Sequence, residues 1–253
     1  MSAGRVAGAL LLAALALVGC GDTVRYAPLA ERGAALARDP AVTRSQYNRV
    51  ACTTCHAERP GDGAGRVLPG AVLAGAARRS SFWGGEVLHL EEAVARCWVY
   101  FMRGVPADLD GPTGAALAAW LESLADVDGA VTTPVPFTVP RTVRDLPDGD
   151  AARGRQVFVR ACQSCHGALG SGAGRLGPLV AVLPGDTLTE HCRGMPPIGV
   201  PDLPTYTRMA VVQKTRHGGF LGYGGTMPPF SLERLTDQEV ADLVALFPCM
   251  PRE

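Results

Sequence analysis

The chain has 253 residues with 24 basic and 24 acidic side chains, a balance that argues against a nucleic-acid partner, which would ask for a strong positive field. Hydrophobic residues make up 47% of it, and the length suffices for two domains of about 100 residues each.

Residues 1–20 read as a leader. Arg5 supplies a positive start, and "AGALLLAALALVG" is too short for a comfortable membrane span. The ending Leu17-Val18-Gly19-Cys20 resembles a bacterial lipobox, in which Cys20 takes a lipid and becomes the first mature residue. This implies a lipid-anchored, periplasm-facing address in a bacterial cell envelope.

The first structured unit is expected over 28–128. It carries "CTTCH" at Cys52–His56, a Gly-rich loop and a short apolar run. In "LEEAVARCWVYFMRG", Val94, Cys97, Trp98 and Phe101 share one helical face, and Met102 continues it at i+8. After Pro112, a closing helix shows Leu117, Trp120, Leu121 and Leu124 at the same spacing. Residues 129–150 hold four prolines with little periodicity and read as a linker or extended crossover.

The second unit, 151–253, repeats the order. Gly154, Val157, Phe158 and Ala161 form a helical stripe that runs into "CQSCH" at Cys162–His166. Gly172, Gly174 and Gly177 then match a dinucleotide-binding spacing, a reading rejected because a Cys-x-x-Cys-His motif precedes them rather than a strand. At the far end Thr236 and Glu239 form a capping box ahead of Val240, Leu243, Val244 and Phe247. Strand signals are scarce, so the expected class is all-α.

The repeated Cys-x-x-Cys-His carries the chemistry. A zinc ribbon would set its two halves roughly 15–20 residues apart, and a thioredoxin-like dithiol needs a βαβ setting. Neither condition holds. A c-type haem needs two thiols to bond its vinyl groups and an adjacent imidazole to bind its iron. Two motifs therefore predict two covalently bound haems, on Cys52 and Cys55 and on Cys162 and Cys165, with His56 and His166 on the irons. Setting aside Cys20, three cysteines are left, which in an oxidising compartment points to one disulfide and one free thiol. Cys192 and Cys249 lie in the same half and are paired, leaving Cys97.

Helix, Cys-x-x-Cys-His, Gly-rich loop, ligand loop and closing helix is similar to a class I cytochrome c domain, and the chain resembles two of them in tandem over about residues 28–126 and 151–248. The resemblance implies that Pro69 and Pro178, thirteen and twelve residues after their histidines, offer carbonyls to the imidazoles' second nitrogens. It also implies Met227, in "GGTMPPF" 61 residues after His166, as second axial ligand there, with Met195 the runner-up. In the first half Met102, 46 residues after His56, is the expected ligand. A methionine on such a stripe is more often core, and His89 and Cys97 are rivals, although a buried Cys is usually a small hydrophobe.

The expected function is membrane-tethered electron transfer between redox protein partners such as a dehydrogenase, reductase or oxidase. Two enzymatic alternatives stand beside it. "RCWVYFMRG" loosely resembles sulfur-oxidising dihaem enzymes with a cysteine ligand, which would put Cys97 on the iron. "ARDPAVTRSQYNRVACTTCH" resembles the approach to the first haem of dihaem peroxidases.

Overall fold

The computed structural model describes residues 23–140, 145–185, 188, 192, 193, 195–219 and 225–249. Cys20 and its leader lie outside them. The fold is all-α: among the described residues there is no strand, only an isolated bridge between Phe82 and Val87.

In the first half, α1 (Thr23–Arg38), the one-turn α2 (Cys52–Cys55), α3 (Leu90–Tyr100) and α4 (Pro112–Ser123) surround a core of Ala37, Trp98, Met102, Leu117, Trp120, Leu121 and Leu124. Pro112 starts α4 where a missing N–H costs nothing. The second half holds α5 (Ala151–Val157), a π-helical turn (Phe158–Cys162), α6 (Gln163–His166), α7 (Leu203–His217) and α8 (Asp237–Leu246). Its separate core includes Val157, Phe158, Ala161, Val211, Val212, Leu235, Val240, Leu243 and Phe247. Side chains cap three of these starts: Asp150 accepts from the Arg153 N–H, Asp202 from Thr205, and Thr236 from Glu239. The expected capping box at α8 is present, with the Glu239 carboxylate accepting from the Thr236 N–H at 2.8 Å.

The two halves close in the same way. A Cβ on Gly33 in α1 would stand 2.0 Å from the Ala116 carbonyl oxygen in α4, and one on Gly154 in α5 would stand 2.0 Å from that of Asp242 in α8. Each opening helix thus crosses its closing helix at a point where only glycine fits. In the second half a salt bridge clamps the crossing: Asp242, 2% exposed, accepts from Arg153 at 2.8 and 2.9 Å and from the Asp150 N–H at 2.8 Å.

One expectation needs correction. Met102 does not continue the stripe of α3, because the helix ends at Tyr100. Arg103 takes a left-handed φ of 54°, Met102 N–H reaches back to the Cys97 carbonyl at 3.3 Å, and Gly104 N–H reaches that of Trp98 at 2.9 Å. Met102 is nevertheless buried, at 4% exposure. The segment read as a linker or extended crossover is extended where described, and it is hydrogen-bonded to both halves. Val131 bonds with Ala74, Thr138 bonds with Leu232 and with the Glu233 carboxylate, and the His217 Nε2 meets the Pro140 carbonyl.

Gly154→Ala should lower stability by about 1–3 kcal/mol through overpacking, read as a fall in melting temperature. Gly111→Ala should cost less, because its Cβ meets nothing within 4 Å and it loses only the preference for glycine at the N-cap of α4. The Arg153 guanidinium holds the Asp242 carboxyl down at about 2. A depressed carboxyl stabilises the fold at neutral pH and loses that contribution as pH falls from the ordinary carboxylate range toward about 2. Asp242→Asn should therefore cost stability at pH 7 and flatten the acid limb of the unfolding profile.

Candidate haem sites

In the first half, α2 presents Cys52 and Cys55 on a single turn, and His56 leaves it in an extended conformation. The His56 Nδ1 lies 2.7 Å from the Ala71 carbonyl oxygen. A carbonyl can only accept, so the proton sits on Nδ1 and Nε2 keeps its lone pair for a metal. Burial lowers the pKa of His56, which favours that neutral, ligating form. The acceptor is thus Ala71 and not Pro69. Gly70 packs so closely on the ring that a Cβ would stand 2.3 Å from Cε1, and the chain passes the imidazole before its next carbonyl meets Nδ1.

Beside His56 opens a cavity of about 1380 Å³ counted out to its mouth. Its walls include Cys52, Cys55, Pro69, Cys97, Trp98, Met102, Leu117 and Trp120, with Arg79 and Arg234 and no acidic side chain among the described lining residues. Cys97, on α3, is half-buried and faces this space. Burial, with the nearby Cys52, pushes its thiol up to about 12. Met102 lines the same cavity but is packed into the core. His89 is the exposed residue preceding α3 and is not among the lining residues.

The second half repeats the histidine geometry. His166 ends α6, its Nδ1 lies 2.7 Å from the Ala181 carbonyl oxygen, and burial lowers its pKa. Here too the acceptor is not the expected proline. Pro178 is exposed on a turn closed by Val180 N–H to the Gly177 carbonyl at 3.0 Å, and the chain turns inward only beyond it. Met227 packs against the second core, whereas Met195 is 91% exposed. The C-terminus of α7 holds the Met227 backbone: Gly219 N–H donates to its carbonyl at 2.6 Å, and Phe230 N–H to that of Thr215 at 2.8 Å. Buried Arg216 fixes the following chain, donating to the carbonyls of Phe230, Ser231 and Leu235 and pairing with Asp237 at 2.8 Å. Sequence reasoning passed over Arg216, whose only signal was a charged side chain in a segment with no clear apolar stripe. Cys192 and Cys249 form a disulfide.

The two sites adjoin. Pro228, Pro229, Ser231 and Arg234 of the second half wall the first-half cavity. Arg103, next to Met102, donates to the Gly225 carbonyl at 2.7 Å, two residues before Met227. Val67 N–H bonds the Arg160 carbonyl at 2.9 Å, and its side chain joins the second core. The pKa of Cys55 is raised by burial and then by Cys165, so these motif cysteines lie within electrostatic reach of each other.

These residues fit a covalently held haem. The first cavity is apolar and bordered by both motif thiols and an imidazole with a free Nε2. It also contains one orphaned donor, the Nε1–H of Trp98, which is 1% exposed and has no hydrogen-bond partner. A buried N–H without a partner is costly, and of a haem's groups only a propionate carboxylate could accept from it.

Comparison with known proteins agrees with this chemistry. Residues 149–246 match the family model described as cytochrome C oxidase, cbb3-type, subunit III. A thiosulfate dehydrogenase from Stutzerimonas stutzeri (strain A1501) is 29% identical over 154 residues, 58% of this chain and 48% of that protein. A solved thiosulfate dehydrogenase (TsdBA) from Marichromatium purpuratum aligns with 88% of this chain and 45% of its own, at 22% identity and a TM-score of 0.42. The chain spans about half the length of these relatives. The matched region, residues 149–246, is thus similar to a cytochrome c family domain, and the second Cys-x-x-Cys-His motif, Cys162–His166, is seated within it.

Proposed function

We propose that this chain is a c-type cytochrome that carries two haems, oxidises thiosulfate at the first and relays electrons through the second. The observation that carries the reading is Cys97. Its thiol faces the cavity that His56 borders, while Met102 is already packed among Trp98, Leu117, Trp120 and Leu121. The first haem would thus be held by Cys52, Cys55, His56 and Cys97, and the second by Cys162, Cys165, His166 and Met227. A thiol whose pKa burial raises to about 12 is protonated at neutral pH. Cys97 therefore becomes a thiolate by giving its proton up to metal binding.

Each bound haem supplies a one-electron acceptor. Two thiosulfate dianions joining through a new S–S bond give tetrathionate and release two electrons, with no proton or oxygen to account for, which matches two acceptors. The chain's part is to orient and admit. The apolar walls exclude water, and the absence of acidic side chains among the described lining residues leaves the cavity open to an anion. The Met227 loop, which forms part of the wall, puts the second site next to the first. A thioether ligand there would favour the ferrous state relative to a second imidazole, which suits a receiving haem. Onward transfer goes to a redox protein partner, with a lipid on Cys20 holding the chain to the periplasmic side of a membrane.

Thiosulfate added to the oxidised protein should reduce it. Cys97→Ser should retain both haems and lose that reduction by more than the ~10–100-fold typical when a residue behind a metal ligand is changed. It should also lose the low-spin thiolate signal in electron paramagnetic resonance. No reduction by thiosulfate, with a spectrum indifferent to Cys97→Ser, would favour a simple carrier with Met102 on the first iron. The haem count is checked separately: intact mass should show two haems per mature chain, falling to one when Cys162 and Cys165 are both replaced by Ala.

A further inference from the structure

The wall of the first-half cavity contains two arginines that the reading above does not use. Arg79 follows a short 3-10 turn of the first half (Ala76–Arg78). Arg234 belongs to the second half, on the turn closed by its own N–H to the Ser231 carbonyl at 3.1 Å. Both are half-buried, and burial lowers the pKa of each. Their charges reach each other and His56. Arg79 donates only to neutral carbonyls, those of Val131, Val72 and Ala74 at 2.9, 2.6 and 3.3 Å. The Arg234 guanidinium makes no hydrogen bond among the described residues. Glu233, the nearest acid to Arg234, uses its carboxylate to accept from the Thr138 N–H at 3.0 Å.

Two half-desolvated like charges without a carboxylate between them are unfavourable unless an anion joins them. The backbone that carries Arg234 is rigid. Ser231 and Leu235, 1% and 0% exposed, flank it, and Arg216 pins both of their carbonyls. The arrangement is therefore built: both arginines line the cavity, and the backbone beneath Arg234 is fixed. Arginine in a fixed fork suits a carboxylate.

We propose that Arg234, supplied by the second half, works with Arg79 to bind a haem propionate of the first half. The haem of the first site then depends on both halves for its binding. This rests on the reading that a haem is attached beside His56. It does not rest on the reaction assigned to that haem.

A positive charge beside a haem favours the ferrous form, so its removal lowers the potential. In the full-length holoprotein, Arg234→Gln should lower one of the two midpoint potentials by about a tenfold shift in the ferric/ferrous equilibrium, about 59 mV for one electron. The other potential should hold, and Arg234→Lys should recover most of the loss. Haem content and circular dichroism confirm that each variant is folded and loaded. Unchanged potentials in folded, fully loaded Arg234→Gln would overturn the proposal. So would a raised KM for thiosulfate with both potentials unmoved, which would give the arginine pair to the substrate. A protein that shows the potential shift but cannot oxidise thiosulfate supports the clamp and sinks only the assigned reaction. A wild-type mass with a single haem, on Cys162 and Cys165, overturns the clamp at the outset.

Discussion

Each half of this molecule is organised around one hydrogen bond, from the Nδ1 of a motif histidine to a backbone carbonyl fifteen residues further along. That bond decides which nitrogen carries the proton and so which can bind a metal. It also orients the ring and fixes the loop after the motif, since Gly70 N–H to the Cys55 carbonyl and Leu176 N–H to that of Cys165 draw the chain back over the short helix. With the histidine and the two thiols on one turn, the remaining helices must leave a slot beside that turn. The Gly33 and Gly154 crossings bring the helices together elsewhere, so that the space is concentrated beside the motif.

The motifs, the helical class and the core stripes were legible in the sequence because each is a local pattern. A Cys-x-x-Cys-His needs only one turn, and Val240, Leu243, Val244 and Phe247 need only a regular period. The bond acceptor for the histidines was not legible. Whether a proline or a later carbonyl faces the imidazole depends on how tightly Gly70 packs on the ring, a matter of tertiary contact. Helix α7 was also missed. Its buried positions include Thr207, Thr215, Arg216 and His217, so hydrophobic periodicity gives no sign of it. Two of them answer carbonyls that must find donors: Arg216 those of Phe230, Ser231 and Leu235, and His217 that of Pro140.

The choice between Cys97 and Met102 is a further case where spacing alone could not decide. In the sequence both fall on one apolar period, and in the structure both border the same cavity. What separates them is the helix end. The helix stops at Tyr100, Phe101 departs from helical geometry at φ −110°, and Met102, followed by the left-handed Arg103, packs into the first core while Cys97 remains on the helix wall.

That same Arg103 points its guanidinium across to the Gly225 carbonyl, in the loop that leads to Met227. The loop therefore answers to both halves. Arg216 and the end of α7 hold its far side, Arg103 holds its near side, and its prolines close the cavity beside His56. An exposed hydrogen bond of this kind is worth only about 0.5–1.5 kcal/mol, too little to hold two domains together alone. The extended segment supplies the rest, bonding the first half at Val131 and the second at Thr138 and Pro140. A loose tether would let the two sites drift apart and leave the first cavity without part of its wall. Because the crossover is hydrogen-bonded at both ends, the second half can serve the first as part of its binding site, and a change in the position of Met227 has a direct mechanical route to the cavity beside His56.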